Sequence, residues 1–229
     1  MKLPLPKDFF QCPPLSDKDK ACLRQVGREA SLDMVQLTQD PNTVTWQPVS
    51  FSDRNVRIFR GHDRTKPPST ITWCGITQLQ ATIEEVADLF RAETTEQYQD
   101  YCRMFSKDLL DGATLYTLTQ PTAAFPRHYI GVKWHVAETA FVIRNRDFVN
   151  VEAQFDVEFE GRRGWVRVMR SVQLTCCPDF ESLLGLVRAW HYCSGHLFLE
   201  TDRPGYLAHT HCSKAHSTAT PAALSPLAP

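Results

Sequence analysis

Acid–base catalysis needs a histidine or carboxylate within hydrogen-bond reach of a second polar group, and His135, Asp147, Glu152 and Tyr129 are the candidates here. Nothing in their spacing forces the four together. No nucleophile elbow, phosphate loop, H-E-x-x-H or paired metal motif accompanies them, so a cyclase- or hydrolase-like activity is the least supported class. The one metal-like cluster is His209-x-His211-Cys212, with His216 beyond it. Zinc takes four ligands in a tetrahedron, and no second pair follows at a usual spacing. The reading is of a non-enzyme with no catalytic residues, no cofactor and no metal.

Binding is better served. Arg170 shares strand parity with Val166, Val168, Val172 and Leu174, which places a guanidinium on an apolar face. An unpaired buried charge is costly, so Arg170 needs a ligand's polar group, a carboxylate such as Asp147, or a bulge that turns it outward. Arg146 and Asp147 are adjacent and face opposite sides of a regular strand; with Phe148 they head the longest strand of the chain. Trp134 and Trp165 are large enough for either a core or the wall of a ligand tunnel.

These residues sit on a pattern of alternation. Val149, Val151, Ala153, Phe155, Val157 and Phe159 alternate with Asn150, Glu152, Gln154, Asp156 and Glu158, the period of an antiparallel strand with one dry face. A turn over Glu160–Gly164 leads to its partner, Trp165 to Leu174. Upstream, Ser16-x-x-Asp19 caps a helix carrying Leu23, Val26, Ala30, Met34 and Leu37; Thr82-x-x-Glu85 and Thr94-x-x-Gln97 open two more. Strand-like runs fall at Val44 to Val49, Val56 to Phe59, Ile71 to Cys74, Leu115 to Leu118, Tyr129 to Val136, Phe141 to Ile143 and His196 to Glu200, with Asp111-Gly112 ending the helical zone. Leu183 to Trp190 reads as a short apolar helix or loop beside exposed Arg188 and His191, either covering a sheet edge or touching a membrane through Trp190. Helix, meander, helices and long meander together predict an α+β domain.

The chain has 229 residues, enough for one sizeable core. Its 25 basic and 26 acidic residues argue against a nucleic-acid partner. No apolar run approaches a membrane span and the start is too proline-broken for a signal peptide, so a cytoplasmic location is expected. The eight scattered cysteines read as buried, reduced thiols. Residues 1–15 are expected to be flexible, 16–212 to form the domain, and 213–229 to be a low-complexity, disordered tail.

Trp73-Cys74-Gly75, Arg146-Asp147-Phe148, Gly164-Trp165-Val166 through Arg170-Ser171-Val172, Pro178-Asp179, Val187-Arg188 and Ser194-Gly195 fall in an order and spacing that resembles the START domains, in the divergent branch often joined to FYVE fingers. The resemblance runs from about Asp17 to Cys212. It implies a helix-grip fold in which a curved antiparallel sheet wraps a C-terminal helix and leaves a tunnel for one hydrophobic molecule, a lipid or sterol. It also implies a carrier or sensor with transient membrane contact, and a pocket bordered by the Arg146–Asp147 segment; with the residues singled out above, the expected ligand contacts are Trp134, Arg146, Asp147, Phe148, Trp165 and Arg170. Where the family has its closing helix, this chain has three prolines in an Ala/Ser/Thr-rich stretch, so that helix is expected to be missing. A truncated or frame-altered chain, with its apolar sheet face uncovered, is the corresponding expectation, and an adaptor with no closed pocket is the alternative function.

Overall fold

The computed structural model describes residues 3–39, 44–49, 55–63, 69–105, 108–139 and 143–216. Helix α1 spans Asp17–Gln39, followed by β1 (Thr45–Val49), β2 (Arg57–His62), β3 (Thr70–Gln80), α2 (Ile83–Leu89) and α3 (Thr95–Phe105). The remainder is β4 (Leu109–Thr119), β5 (Tyr129–Ala137), β6 (Arg146–Phe159), β7 (Arg162–Ser171), one turn of helix α4 (Glu181–Leu184), β8 (Val187–Arg188), β9 (Trp190–Glu200) and β10 (Tyr206–His216). Among the described residues the strands form one curved sheet in the order β1-β2-β3-β10-β9-β7-β6-β5-β4, with β8 parallel to the start of β6.

Local chemistry sets the boundaries. The Ser16 hydroxyl accepts the Asp19 N–H at 3.2 Å, and Thr82 and Glu85 cap each other reciprocally at the head of α2. Gln97 accepts the Thr94 N–H at 3.1 Å before α3. The β6–β7 turn is tighter than the sequence suggests. Phe159 pairs with Arg162, leaving only Glu160 (φ 51°) and Gly161 (φ 74°) in a two-residue turn whose positive dihedrals match the twist of the flanking strands.

Helix α1 covers the apolar face of the sheet. Leu23, Ala30, Met34 and Leu37 are buried against Ile130, Val132, Val149, Val151, Ala153, Val166 and Val168. Gly27 lets the helix approach closely, because a Cβ there would lie 3.1 Å from Ala153 Cβ and 3.3 Å from Ile130 Cγ2 and Val151 Cγ1. The expected exposed apolar face is therefore filled. At one end Phe10 packs on Trp134, with ring centres 5.0 Å apart, and Phe9 on Phe180 at 5.6 Å, so the proline-rich start lies along the sheet.

Several readings need correction. Asp111 and Gly112 lie inside β4, where Asp111 accepts the Leu5 N–H at 2.6 Å. Trp190, Arg188 and His191 are not exposed: Trp190 and His191 are buried in β9, and Arg188 holds Asp147 at 2.8 Å. Cys22 is exposed, and Cys12 and Cys176 are half-buried. Strand β10 carries the chain through Ser213 to His216, while the expected missing helix falls on residues 217–229, and most of the Phe141-to-Ile143 run on 141–142, outside the described residues.

Candidate ligand-binding face

Register decides which side chains share a face. Glu152 pairs with Gly131 on β5 and Met169 on β7; Gln154 pairs with Tyr129 and Arg167; Phe148 pairs with His135; Asn150 pairs with Lys133 and Ser171. Direct partners point the same way, so the polar series of β6 forms a second face with Lys133, His135, Arg167 and Trp165, opposite α1. Strands β9 and β10 extend it through Ser194, His196, Phe198, His209, His211 and Ser213.

This polar face is buried too. Asn150, Glu152 and Lys133 have no exposed surface and Arg167 is 3% exposed. Glu152 Oε1 lies 2.9 Å from Lys133 Nζ, and Oε2 lies 2.6 Å from Arg167 Nη2. The Phe90 ring, just past α2, and the rings of α3 close over them: Lys133 Nζ sits 4.5 Å from the Tyr98 ring centre, and the Arg167 guanidinium 4.9 Å from Phe90 and 5.3 Å from Tyr101. Burial raises the Glu152 carboxyl, but Arg167 and Lys133 outweigh it and hold the group at about 2. Burial pushes Lys133 down, against the pull of Glu152. Two cations thus share one carboxylate away from water, a geometry stable only when every charge is bonded.

Beside the triad runs an aromatic wall. Phe148 stacks on His191 at 4.1 Å and on His135 at 5.0 Å, and Tyr98 Oη lies 3.2 Å from His135 Nδ1. Burial first, then Arg167, lowers His135 to about 3; burial and the neighbouring His135 and His211 lower His191 to about 3. Both rings are neutral near pH 7. Burial and His211 lower His209 to about 4. His209, His211 and His196 share this face, with His196 Nδ1 3.0 Å from His209 Nε2, but Cys212 points to the α1 side. Among the described residues no group of three such side chains is placed to hold a metal ion.

Among the described residues the buried polar atoms on this face without a hydrogen-bond partner include Arg167 Nε, Asn150 Nδ2, His191 Nδ1 and Tyr129 Oη. Each such atom costs about 1–3 kcal/mol unless something satisfies it. Toward β3 the face opens. Trp73 is 39% and Ile71 49% exposed, His211 is exposed, and a Cβ on Gly75 would meet nothing within 4 Å.

The six residues singled out from the sequence divide between the two faces. Phe148, Trp165 and Arg146 share the polar face; Trp165 lies 5.9 Å from Phe90 and 6.0 Å from Phe198. Trp134, Asp147 and Arg170 lie on the α1 side. Trp134 Nε1 donates to Asp147 at 2.9 Å, Arg188 donates to the same oxygen, and Arg170 pairs with Asp33 of α1 and donates to the Tyr192 carbonyl at 3.0 Å. The acid–base candidates also separate, Asp147 on one side and His135, Glu152 and Tyr129 on the other. Lys133, Arg167 and Asn150 do not stand out in the sequence as site residues, and Glu152 does so only as an acid–base candidate; the even spacing of Asn150 and Glu152 with Phe148 and Gln154 is the available signal, whereas Lys133 and Arg167 lie on other strands.

No family model matches the chain, and no curated protein matches it. Solved structures do. Human StAR-related lipid transfer protein 5 superposes with a TM-score of 0.62 at 16% identity, over 88% of this chain and 85% of that one. The lipid transfer and protein localization domain of human StarD13 matches with a TM-score of 0.55 at 15% identity, over 91% and 87%. Human STARD10 matches with a TM-score of 0.55 at 12% identity, over 92% and 71%. By fold, this chain is a START-like domain of the helix-grip α+β class.

Proposed function

We propose that this chain binds one hydrophobic small molecule, a lipid or sterol, on the polar face opposite α1, and performs no chemistry on it. The observation that carries the reading is the set of unpartnered buried polar atoms on that face, above all Arg167 Nε beside a carboxylate already shared by two cations. A ligand oxygen at the Arg167 end, with an apolar body along the open stretch by Trp73 and Ile71, satisfies both the polar and the apolar surface. Phe148, Trp165 and Arg146 are the expected contacts that share this face. Trp134, Asp147 and Arg170 support it from behind.

The likeness to lipid transfer domains supports the same reading. No helix among the described residues is long and apolar enough to cross a membrane, in keeping with a cytoplasmic carrier or sensor that meets membrane surfaces transiently. Purification of the full chain under native conditions, followed by extraction and lipid mass spectrometry, tests the proposal. One stoichiometric hydrophobic species per chain is expected; a folded chain that is empty and takes up no lipid from mixed vesicles overturns it.

A further inference from the structure

Asn150 and Ser171 are direct cross-strand partners, and with His191 they make a corner of the polar face. The Ser171 hydroxyl is used twice, donating to Asn150 Oδ1 at 2.8 Å and accepting the His191 N–H at 2.8 Å. Asn150 Nδ2 and His191 Nδ1 are left without partners, in residues that are 0% and 9% exposed. Turning the amide over does not remove the problem, because it brings Nδ2 onto Ser171 and leaves Oδ1 unpaired instead. Arg167 Nε and Tyr129 Oη are unpartnered too and lie on the same face, but in the row of Gln154 rather than of Asn150. Four residues of strand separate those rows, about 13 Å along the sheet.

We infer that the Asn150–His191 corner is a second polar anchor, and that the occupant of this face is a flat, ring-containing amphiphile with an oxygen function at each end. The inference rests on the reading that this face takes one hydrophobic ligand. A hydroxyl fits the corner by accepting from Asn150 Nδ2 and donating to His191 Nδ1. A carbonyl fits the other histidine tautomer, accepting from both. A plain hydrocarbon tail leaves the corner unpaired, the same penalty that lets a buried polar site reject an analogue lacking the matching group. The ring is asked for by the wall, where His135, Phe148 and His191 stack in sequence.

Two rigid steroid probes separate the possibilities: dehydroepiandrosterone, with a hydroxyl at one end and a ketone at the other, and its analogue lacking the ketone. With the full chain, binding followed by tryptophan fluorescence is expected to favour the ketone by about tenfold. Asn150→Leu is expected to bring the two affinities together. In the wild-type chain the Asn150 side-chain amide resonance is expected to shift with the ketone probe and not with its analogue, a readout that needs no variant. Equal wild-type affinities with an unmoved amide overturn the second anchor and leave the one-ligand reading standing. Failure of both probes, together with failure to take up any lipid from vesicles, overturns both.

Discussion

Val151 and Glu152 are consecutive residues of β6, both without exposed surface, and they point to opposite faces of the sheet. Val151 lies under α1, whereas Glu152 holds Lys133 and Arg167 beneath the rings of Phe90 and α3. A strand whose polar residues are as deeply buried as its apolar ones needs a cover on each side. One cover here is a helix, and the other is partly aromatic and partly open.

Glu152→Gln leaves Lys133 and Arg167 without a carboxylate and is expected to cost about 3–5 kcal/mol, read from urea unfolding. Replacing the three together by Lys133→Met, Glu152→Leu and Arg167→Met is expected to restore most of that loss, because no charge then remains buried. A Gln variant as stable as the wild type contradicts the assignment of the triad as buried and mutually dependent.

Arg170→Ala breaks an ion pair whose partner, Asp33, is half-exposed. The expected cost is about 1 kcal/mol or less, since water screens such pairs. Ligand uptake is expected to survive. Loss of ligand from a folded Arg170→Ala chain would show that the α1 side, not the polar face, carries the site.

Gly27→Val drives two methyl groups into Ala153, Ile130 and Val151, already 3.1–3.3 Å from the position of a Cβ. Such overpacking costs about 1–3 kcal/mol. Gly27→Ala is expected to lie closer to neutral, because its gain in helix propensity, about 1 kcal/mol, offsets the crowding. Thermal melts of the two variants give the comparison.

Stability should fall in acid through the buried neutral histidines, His135 and His191 among them. His135 and His191 titrate near 3 in the folded chain against an ordinary 6.5, so the unfolded chain binds the extra protons as pH drops below 6.5. Their contribution is complete above that value and is lost progressively toward pH 3. From pH 7 to 4.5 each removes about 2–3 kcal/mol, a large share of a typical domain's stability. Unfolding free energies across that range are expected to rise with pH, with a slope about one proton smaller in His135→Gln than in the wild type.

The elements were legible because caps and alternation are local. Thr82 with Glu85, Thr94 with Gln97, and the β6 series announce themselves within a few residues. The site was less legible because the same alternation suggests that Asn150, Glu152 and Gln154 face solvent. What reverses that reading is Lys133 and Arg167 arriving from neighbouring strands and α3 arriving from far upstream, none of which spacing within β6 can show. Arg170 misled for the converse reason. Its apolar parity was read correctly, but its partner Asp33 sits 137 residues away on α1.

Methionine methyl resonances test the central claim most directly, since Met34 is buried on the sheet-facing side of α1 and Met169 lies on the polar face opposite Glu152. Titration of a lipid-free chain with its ligand, followed in carbon-13 methyl spectra, is predicted to shift Met169 strongly and leave Met34 in place. A shift confined to Met34 would place the ligand on the α1 face and contradict the account.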